Sequence, residues 1–189
     1  MMDQKEFLSS YLSDFSLLVK PDLRVVDDLV RVANILEDTH LHQGQTFVCG
    51  NGGSAAVASH ITVDLTKNAK LRCMNFNESS LITCLANDFG YERWLEKAIE
   101  FYGQAGDSMV AISSSGRSEN VLNAVAAARR RQFRSVVTLT GFSGDNALRQ
   151  LGDLNLWIDS KSYNFVENIH QVWLTAVVDL IIGAREYPA

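Results

Sequence analysis

Four serine hydroxyls lie within one short loop and are the first candidates for chemistry. Ser113, Ser114, Ser115 and Ser118 surround Gly116, after an apolar segment and before an Ala-rich one. Hydroxyls and backbone N–H groups at the start of a helix suit a phosphate, because the helix dipole favours an anion there. One serine is enough for an ordinary helix cap, so four hydroxyls favour an anion site over capping alone. We call residues 113–118 the serine loop.

A second loop, residues 50–54, is suited to hold a ligand close to its backbone. It consists of Gly50, Asn51, Gly52, Gly53 and Ser54, between an apolar segment and a helical pattern. Glycines allow positive φ and a close approach of the backbone to a ligand, and the Ser54 hydroxyl adds a donor. A tight β–α turn that binds nothing has the same composition, and this stretch alone does not separate the two interpretations. We call it the glycine loop.

His60 and Asp64 are candidates for acid–base chemistry. They lie four residues apart in the helical pattern after the glycine loop, so both face one side of that helix. Such a pair can bind a metal, or act as a base and its partner. These two residues alone favour the alternative, which is a helix-surface pair or a histidine satisfied in the core.

The elements that position these residues alternate between strand and helix. We predict strands at residues 45–49, 71–76, 107–112, 135–139 and 154–158. We predict core helices at residues 55–66, 78–86, 91–102, 119–131, 146–151 and 165–183. Parallel strands need such crossovers, so the alternation predicts an α/β fold with a parallel sheet covered on both faces. Ligands bind beyond the carboxyl ends of such strands, which is where both loops are expected to lie.

Residues 3–39 are predicted to form two helices that precede the α/β core. Apolar residues recur at helical spacing on both sides of Pro21, which we expect to be the first residue of the second helix. The chain is therefore predicted to be one domain, residues 1–189, with a helical arm (1–43) and an α/β core (44–189). Aromatic residues in the first helix indicate packing against another subunit, with packing on its own domain as the alternative.

The overall composition argues against several classes of protein. The 189 residues carry a formal net charge of −5, and the basic run at residues 129–131 is expected to be a solvated helix end, so no nucleic-acid partner is expected. No apolar run begins the chain or reaches the length of a membrane span, and the longest (residues 172–183) is a predicted core helix. The serine loop lacks the lysine of a nucleotide P-loop. Cys49, Cys73 and Cys84 form no CxxC pair and are expected to be free thiols in the cytoplasm.

Four motifs in chain order carry a resemblance to a known family. They are GNGGS at residues 50–54, ANDFG at 86–90, ISSSGRS at 112–118 and LTG at 139–141. In these motifs, and over nearly its whole length, the chain resembles the sugar isomerase (SIS) domain family, and within it the phosphoheptose isomerases. Those enzymes interconvert sedoheptulose 7-phosphate and an aldoheptose 7-phosphate. The resemblance implies a three-layer αβα sandwich with a five-stranded parallel sheet, assembled as a homotetramer with sites at the subunit interfaces.

The same resemblance implies a set of residues that bind a phosphorylated sugar. The phosphate would be held by Ser113, Ser114, Ser115 and Ser118. The sugar would be bound by Asn51, Gly52, Gly53, Ser54, Asn87, Asp88 and Glu167.

The implied catalytic residues depart from the family pattern at three positions. Aldose–ketose isomerisation moves a proton through an enediol and needs a base and a group that stabilises the oxygen; the resemblance gives these roles to His60, Asp64 and Glu167, which are also the implied zinc ligands. Position 64 is Asp where the family has Glu, position 167 is Glu where it has Gln, and Thr175 stands where it has a catalytic, metal-binding histidine. The metal set is therefore incomplete. We hypothesise that His170, three residues after Glu167, takes over part of the lost role with it.

These features predict a phosphosugar isomerase that serves surface polysaccharide synthesis, such as that of lipopolysaccharide. An alternative is a catalytically impaired sugar-phosphate sensor or protein-partner scaffold, which resembles the DnaA initiator-associating protein; Thr175 favours this alternative. A third interpretation is a diverged isomerase that acts on a different sugar phosphate.

Overall fold

The computed structural model describes residues 3–20 and 22–187, in which a parallel sheet lies between two layers of helices. The strands are β1 Thr46–Cys49, β2 Cys73–Met74, β3 Ser108–Ser113, β4 Ser135–Thr140 and β5 Leu154–Trp157. Their order across the sheet is β2-β1-β3-β4-β5, and every neighbouring pair is parallel. The predicted five-stranded parallel sheet is confirmed.

Helices cover both faces of this sheet. They are α1 Gln4–Val19, α2 Leu23–Leu41, α3 Gly53–Lys67, α4 Ser79–Phe89, α5 Trp94–Tyr102, α6 Glu119–Arg130 and α7 Tyr163–Ile182, with a short 3₁₀ helix at Leu148–Gln150. Helices α2, α3 and α7 share one apolar core with the sheet, and α4, α5 and α6 share the other. The fold is therefore the three-layer αβα sandwich that the sequence predicted.

The strands that lead into the two loops are fixed by burial. Every residue of β1 and β3 is buried, as expected for a parallel sheet covered on both faces. On one side Phe47 stacks with Phe76 and Phe133, at 5.4 and 5.6 Å between ring centroids. On the other side Val48 and Val110 join the second core. This packing sets the places where the glycine loop and the serine loop begin.

Several element boundaries differ from the sequence prediction. Helix α4 continues to Phe89, so Asn87 and Asp88 lie in its last turns rather than in a loop. Gly90, with φ of +86°, ends that helix in a conformation that glycine tolerates. The strand predicted at residues 71–76 pairs over two residues only, at one edge of the sheet. The helix predicted at residues 146–151 is a three-residue 3₁₀ turn.

The helical arm packs on the core through aromatic rings. Tyr11 and Phe15 of α1 meet the ring of Phe165 edge-on, with centroids 4.5 and 5.7 Å apart. No residue of α1 is buried, so much of its apolar surface is unused within one chain. The side chain of Asp22 caps α2, and the predicted role of Pro21 lies outside the described residues.

Helix α7 is the one helix among the described residues that is long and apolar enough to cross a membrane by length and composition. Its buried side chains, among them Ile169, Trp173 and Leu174, lie in the core that it shares with α2 and α3. The packing is that of a core helix, as predicted for residues 172–183.

The basic run at residues 129–131 pairs within the domain at the end of α6. Arg129 contacts Asp153 at 2.8 Å, and Arg130 contacts Glu96 at 2.6 Å. These ion pairs tie α6 to its neighbours, so the run is a structural helix end, as predicted, rather than a free basic patch.

The three cysteines are free thiols. Burial raises the pKa of Cys49 and of Cys73 to about 12. Both thiols therefore stay protonated near neutral pH and act as packing groups.

Candidate active site

The glycine loop and the serine loop meet at the carboxyl edge of the sheet, because they follow the neighbouring strands β1 and β3. A cavity of about 120 Å³, which we call the serine cavity, lies between them. It is lined by Asn51, Ser54, Ser113, Ser114, Ser115, Ser118, Tyr163 and Glu167. All of these except Tyr163 were candidate site residues from the sequence; no sequence signal marks Tyr163 beyond its place at the start of α7.

The serine hydroxyls in this cavity make few hydrogen bonds with the rest of the protein. Ser118 is the N-cap residue of α6, yet its side chain makes no capping bond; the Ser113 hydroxyl donates to Ser118 Oγ at 3.1 Å instead. Ser114 Oγ is buried and has no hydrogen-bond partner among the described residues. Leaving a buried hydroxyl unpaired costs about 1–3 kcal/mol, and a bound anion would supply the missing partner. The Ser118 side chain therefore does not act as an ordinary helix cap.

The serine loop takes its shape from Gly116, which has φ of +65°. The Gly116 N–H donates to the Ser113 carbonyl at 2.9 Å and closes a turn. A side chain at this position would overlap the amide of Asn146. Asn146 is itself buried and donates to the Gly141 carbonyl at 3.2 Å. The loop after β4, which contains the motif at residues 139–141, therefore supports the serine loop from behind.

The glycine loop needs its glycines for two different reasons. Gly52 is the N-cap residue of α3 and has φ of +55°, which disfavours a side chain. Gly50 lies so close to β3 that a Cβ there would come within 2.9 Å of the Ile112 carbonyl oxygen. The tight turn places Ser54, which is buried, in the first turn of α3 and in the lining of the serine cavity.

Asn51 is held by a reciprocal amide pair. Its Nδ2 donates to Oδ1 of Asn120 at 2.8 Å, and Nδ2 of Asn120 donates back to Oδ1 of Asn51 at 2.9 Å. The Tyr91 hydroxyl also donates to Asn51 Oδ1, at 3.2 Å. The pair ties the glycine loop to the first turn of α6. Sequence analysis missed Asn120 because one amide in an Ala-rich helix carries no signal.

Glu167 lies between the serine cavity and a second one. This histidine cavity, of about 300 Å³, is lined by Gly53, Ala56, Val57, His60, Glu167, Asn168 and Gln171. The Glu167 carboxylate lies against Gly53, where any side chain would overlap it. Burial raises the pKa of Glu167 above its ordinary value. A carboxylate that holds its proton more tightly, next to two cavities, is suited to proton transfer.

His60 has a polar neighbour at each ring nitrogen. The Gln171 side-chain amide lies 3.2 Å from Nδ1, and Asp64 Oδ2 lies 3.1 Å from Nε2. The predicted His60–Asp64 pair is therefore present in the structure, and the His60 side chain is 56% exposed. Sequence analysis missed the contribution of Gln171.

Comparison with known proteins decides the family. The sequence profile of the SIS domain matches residues 23–141.

The chain belongs to the SIS domain family.

This SIS domain protein is similar along most of its length to phosphoheptose isomerases. It is 33% identical over 179 residues to the one from Fusobacterium nucleatum, with 91% of each chain covered. It is 33% identical over 158 residues to the one from Aromatoleum aromaticum, which covers 77% of this chain and 79% of the relative. The solved phosphoheptose isomerase GmhA from Neisseria gonorrhoeae superposes with a TM-score of 0.88 at 28% identity, over 95% of this chain and 99% of that one. The one from Francisella tularensis gives a TM-score of 0.85 at 25% identity, over 95% and 98%.

The donor groups of this SIS domain fall short of a zinc site. Among residues 3–20 and 22–187, no three His, Cys, Asp or Glu side chains form a group that could hold a metal. Asp64 Oδ1 accepts a hydrogen bond from the Asn68 amide at 3.1 Å. The Thr175 hydroxyl donates to the carbonyl of Gln171, one turn back in its own helix, at 3.0 Å. A structural or catalytic zinc takes three or four protein ligands, and the described residues of a single chain do not bring that many together.

Asn87 and Asp88 do not line either cavity. They lie in the last turns of α4, exposed, and the Asn87 amide donates to the Asp88 carboxylate at 2.9 Å. Their part in sugar binding stays a prediction.

His170 lies in the core rather than in the site. Its ring is fully buried, and Nε2 lies 3.2 Å from the Thr140 carbonyl oxygen of β4. It lines neither cavity that Glu167 lines. The position of His170 therefore does not support the hypothesis that it shares catalysis with Glu167. His170 lies three residues after Glu167 in α7, and its side chain faces the sheet instead of the cavities.

Proposed function

We propose that this protein is a phosphosugar isomerase that interconverts a ketose phosphate and an aldose phosphate, with sedoheptulose 7-phosphate as its substrate. The observation that carries the proposal is the serine cavity, in which four serine hydroxyls lie beside the carboxylate of Glu167. The first group suits a phosphate and the second suits proton transfer. The similarity to phosphoheptose isomerases over most of the chain supports the same activity and substrate.

In the proposed reaction, the phosphate binds among the serines at the start of α6, where the N–H groups and the helix dipole favour its charge. The carbon chain of the sugar extends past Glu167 towards the histidine cavity. A carboxylate, Asp64 or Glu167, removes the proton from the carbon beside the carbonyl group and returns it to the former carbonyl carbon. His60, which lines the histidine cavity, stabilises the oxygen on which charge develops.

These steps use only groups of this chain. His60, Asp64 and Glu167 were the residues implied for zinc, and their arrangement provides too few ligands in one chain. No step is therefore assigned to a metal, and the test below includes zinc as a variable.

The assembly and cellular role are part of the same proposal. We infer a homotetramer, because α1 and the start of α2 expose apolar side chains along much of their length: Phe7, Leu8, Leu12, Leu17, Leu23, Val26 and Val30. We infer a cytoplasmic enzyme, consistent with its free thiols. The product would enter the synthesis of a surface polysaccharide such as lipopolysaccharide.

The test is to incubate the purified protein with sedoheptulose 7-phosphate, with and without added zinc, and to follow formation of the aldose. Conversion without zinc supports the proposal as written. No conversion under either condition, combined with thermal stabilisation by the sugar phosphate, would replace it with the sensor or scaffold alternative. If the sugar phosphate is neither converted nor stabilises the protein, the result would contradict a phosphosugar ligand altogether.

A further inference from the structure

We propose that Glu167, on α7, is the base that carries the proton between the two carbons, and that Asp64 instead positions His60. This assignment rests on the proposed function. It decides between the two carboxylates by their surroundings, which differ in access to the cavities and in bonding.

Access separates the two carboxylates first. Glu167 lines both the serine cavity and the histidine cavity, and it is the one residue that the two linings share. Asp64 lines neither of them. A base must come within hydrogen-bond reach of the proton that it removes.

Bonding separates them further. Both oxygens of Asp64 are engaged: Oδ2 by His60 Nε2 at 3.1 Å and Oδ1 by the Asn68 amide at 3.1 Å. Among the described residues, no hydrogen bond or ion pair engages the Glu167 carboxylate, and burial alone raises its pKa. The Asp64 carboxylate therefore holds the ring of His60, whereas the Glu167 carboxylate is free to accept a proton.

The proton balance of the step is simple. From the ketose, the C1–H bond breaks, its proton goes to the Glu167 carboxylate, and its electron pair forms the C1–C2 double bond of an enediolate. Glu167 then returns the proton to C2. The proton of the C1 hydroxyl ends on the C2 oxygen, carried by His60 or water, and C1 becomes the aldehyde carbon.

The test compares Glu167→Gln, Asp64→Asn and the charge-matched control Glu37→Gln, which lies exposed on α2 and lines neither cavity. Two measurements are made on each protein: turnover of sedoheptulose 7-phosphate, and exchange of its C1 protons with deuterated solvent. Because a general base contributes on the order of 10²–10⁴-fold, Glu167→Gln is expected to lower kcat and proton exchange by at least a hundredfold, with KM changed less than about threefold. Asp64→Asn is expected to retain proton exchange at a rate well above that of Glu167→Gln.

The outcomes separate this assignment from the proposed function. Suppose that the wild type is active, and that proton exchange survives in Glu167→Gln but is abolished in Asp64→Asn. This result would overturn the assignment of the base and leave the proposed function standing. A wild type that neither turns over nor exchanges the sugar would overturn the proposed function, and with it any assignment of a base. Thermal stabilisation of Glu167→Gln by sedoheptulose 7-phosphate shows that the variant is folded and binds, so a loss of kcat with binding retained supports the assignment.

Discussion

The Ser114 hydroxyl is buried in the serine cavity without a hydrogen-bond partner, although such groups are nearly always paired in folded proteins. A polar group kept at a cost to stability is expected where a ligand supplies the missing bond. The neighbouring Ser118 supports this interpretation, because it lies at an N-cap and does not cap.

Replacing Ser114 with Ala is therefore expected to have opposite effects on stability and on binding. Removing the unpaired hydroxyl should leave the free energy of unfolding equal or raise it by about 1 kcal/mol, whereas KM for sedoheptulose 7-phosphate should rise at least tenfold. Urea unfolding and steady-state kinetics measure the two quantities. Ser9→Ala, on the exposed surface of α1, is the matched control; a Ser114→Ala protein with unchanged KM would contradict a phosphate role for this serine.

The buried His170 makes stability depend on pH. Burial lowers its pKa from 6.5 to about 4, while the Thr140 carbonyl acts weakly in the other direction. Between those two values the unfolded chain binds a proton that the folded chain does not, so stability is full above pH 6.5 and falls as the pH falls towards 4. The loss is on the order of 3 kcal/mol. Urea unfolding of wild type and His170→Gln across this range should show a steeper decline for wild type, and parallel curves would contradict the buried neutral ring.

At the residue scale, sequence analysis found the site residues that belong to dense motifs. It missed single residues whose role is to contact a site residue from elsewhere in the chain. The serines and glycines are dense enough to be noticed. Asn120 and Gln171 are single amides on helices, and their partners, Asn51 and His60, lie 69 and 111 positions away in the chain. Only the fold brings such pairs together, so no local pattern marks them.

At the scale of elements, the site depends on how closely the starts of α3 and α7 approach. Both helices follow strands of one parallel sheet, and Gly53 of α3 leaves the space that the Glu167 carboxylate of α7 occupies. A glycine within a helix is unfavourable by about 1 kcal/mol relative to Ala. Its presence here is explained by the carboxylate that it accommodates.

Gly53→Ala is expected to displace Glu167 and lower kcat at least tenfold. Stability should change by no more than about 1 kcal/mol, because the better helix propensity of Ala offsets the shift of one flexible side chain. Gly144→Ala is the matched control, since a Cβ there meets the side-chain end of Arg149 at 3.0 Å and the ring of Trp157 at 3.6 Å, both outside the two cavities. Full activity in Gly53→Ala would show that the position of Glu167 does not matter for turnover.

The order of elements was predictable, and several of their ends were not. The sequence marks β3 by a short run of buried residues and α6 by apolar residues at helical spacing, because both elements pack within a covered sheet. The end of α4 depends on Gly90 and its start on the cap that Glu78 provides, accepting from the N–H groups of Ser80 and Leu81. Glutamate is not a typical N-cap residue, and Asn87 is not typical of a helix interior. The predicted helix therefore ended at residue 86, whereas α4 ends at Phe89.

At the scale of the whole molecule, the helical arm exposes apolar surface that a single chain does not bury. Helix α1 contacts the core through Tyr11, Phe15, Leu18 and Val19. Its other apolar side chains are exposed: Phe7, Leu8, Leu12 and Leu17. An apolar surface of this kind is typical of a contact with another protein. A second copy of the chain is the partner that the proposed tetramer requires.

We expect light scattering after size exclusion to give a mass four times the 21.0 kDa of one chain. Leu12→Glu, in the exposed face of α1, should lower that mass, because a charge in an apolar interface is costly. Leu151→Glu, an exposed leucine outside the arm, should leave it unchanged. A monomeric wild type would contradict the tetramer without affecting the site within one chain.

The most direct test of the central claim is a crystal structure of the protein with sedoheptulose 7-phosphate. The account predicts the phosphate within hydrogen-bond distance of the hydroxyls of Ser114 and Ser118, with C1 and C2 of the sugar beside the Glu167 carboxylate. A sugar phosphate bound elsewhere, with the serine loop empty, would contradict it.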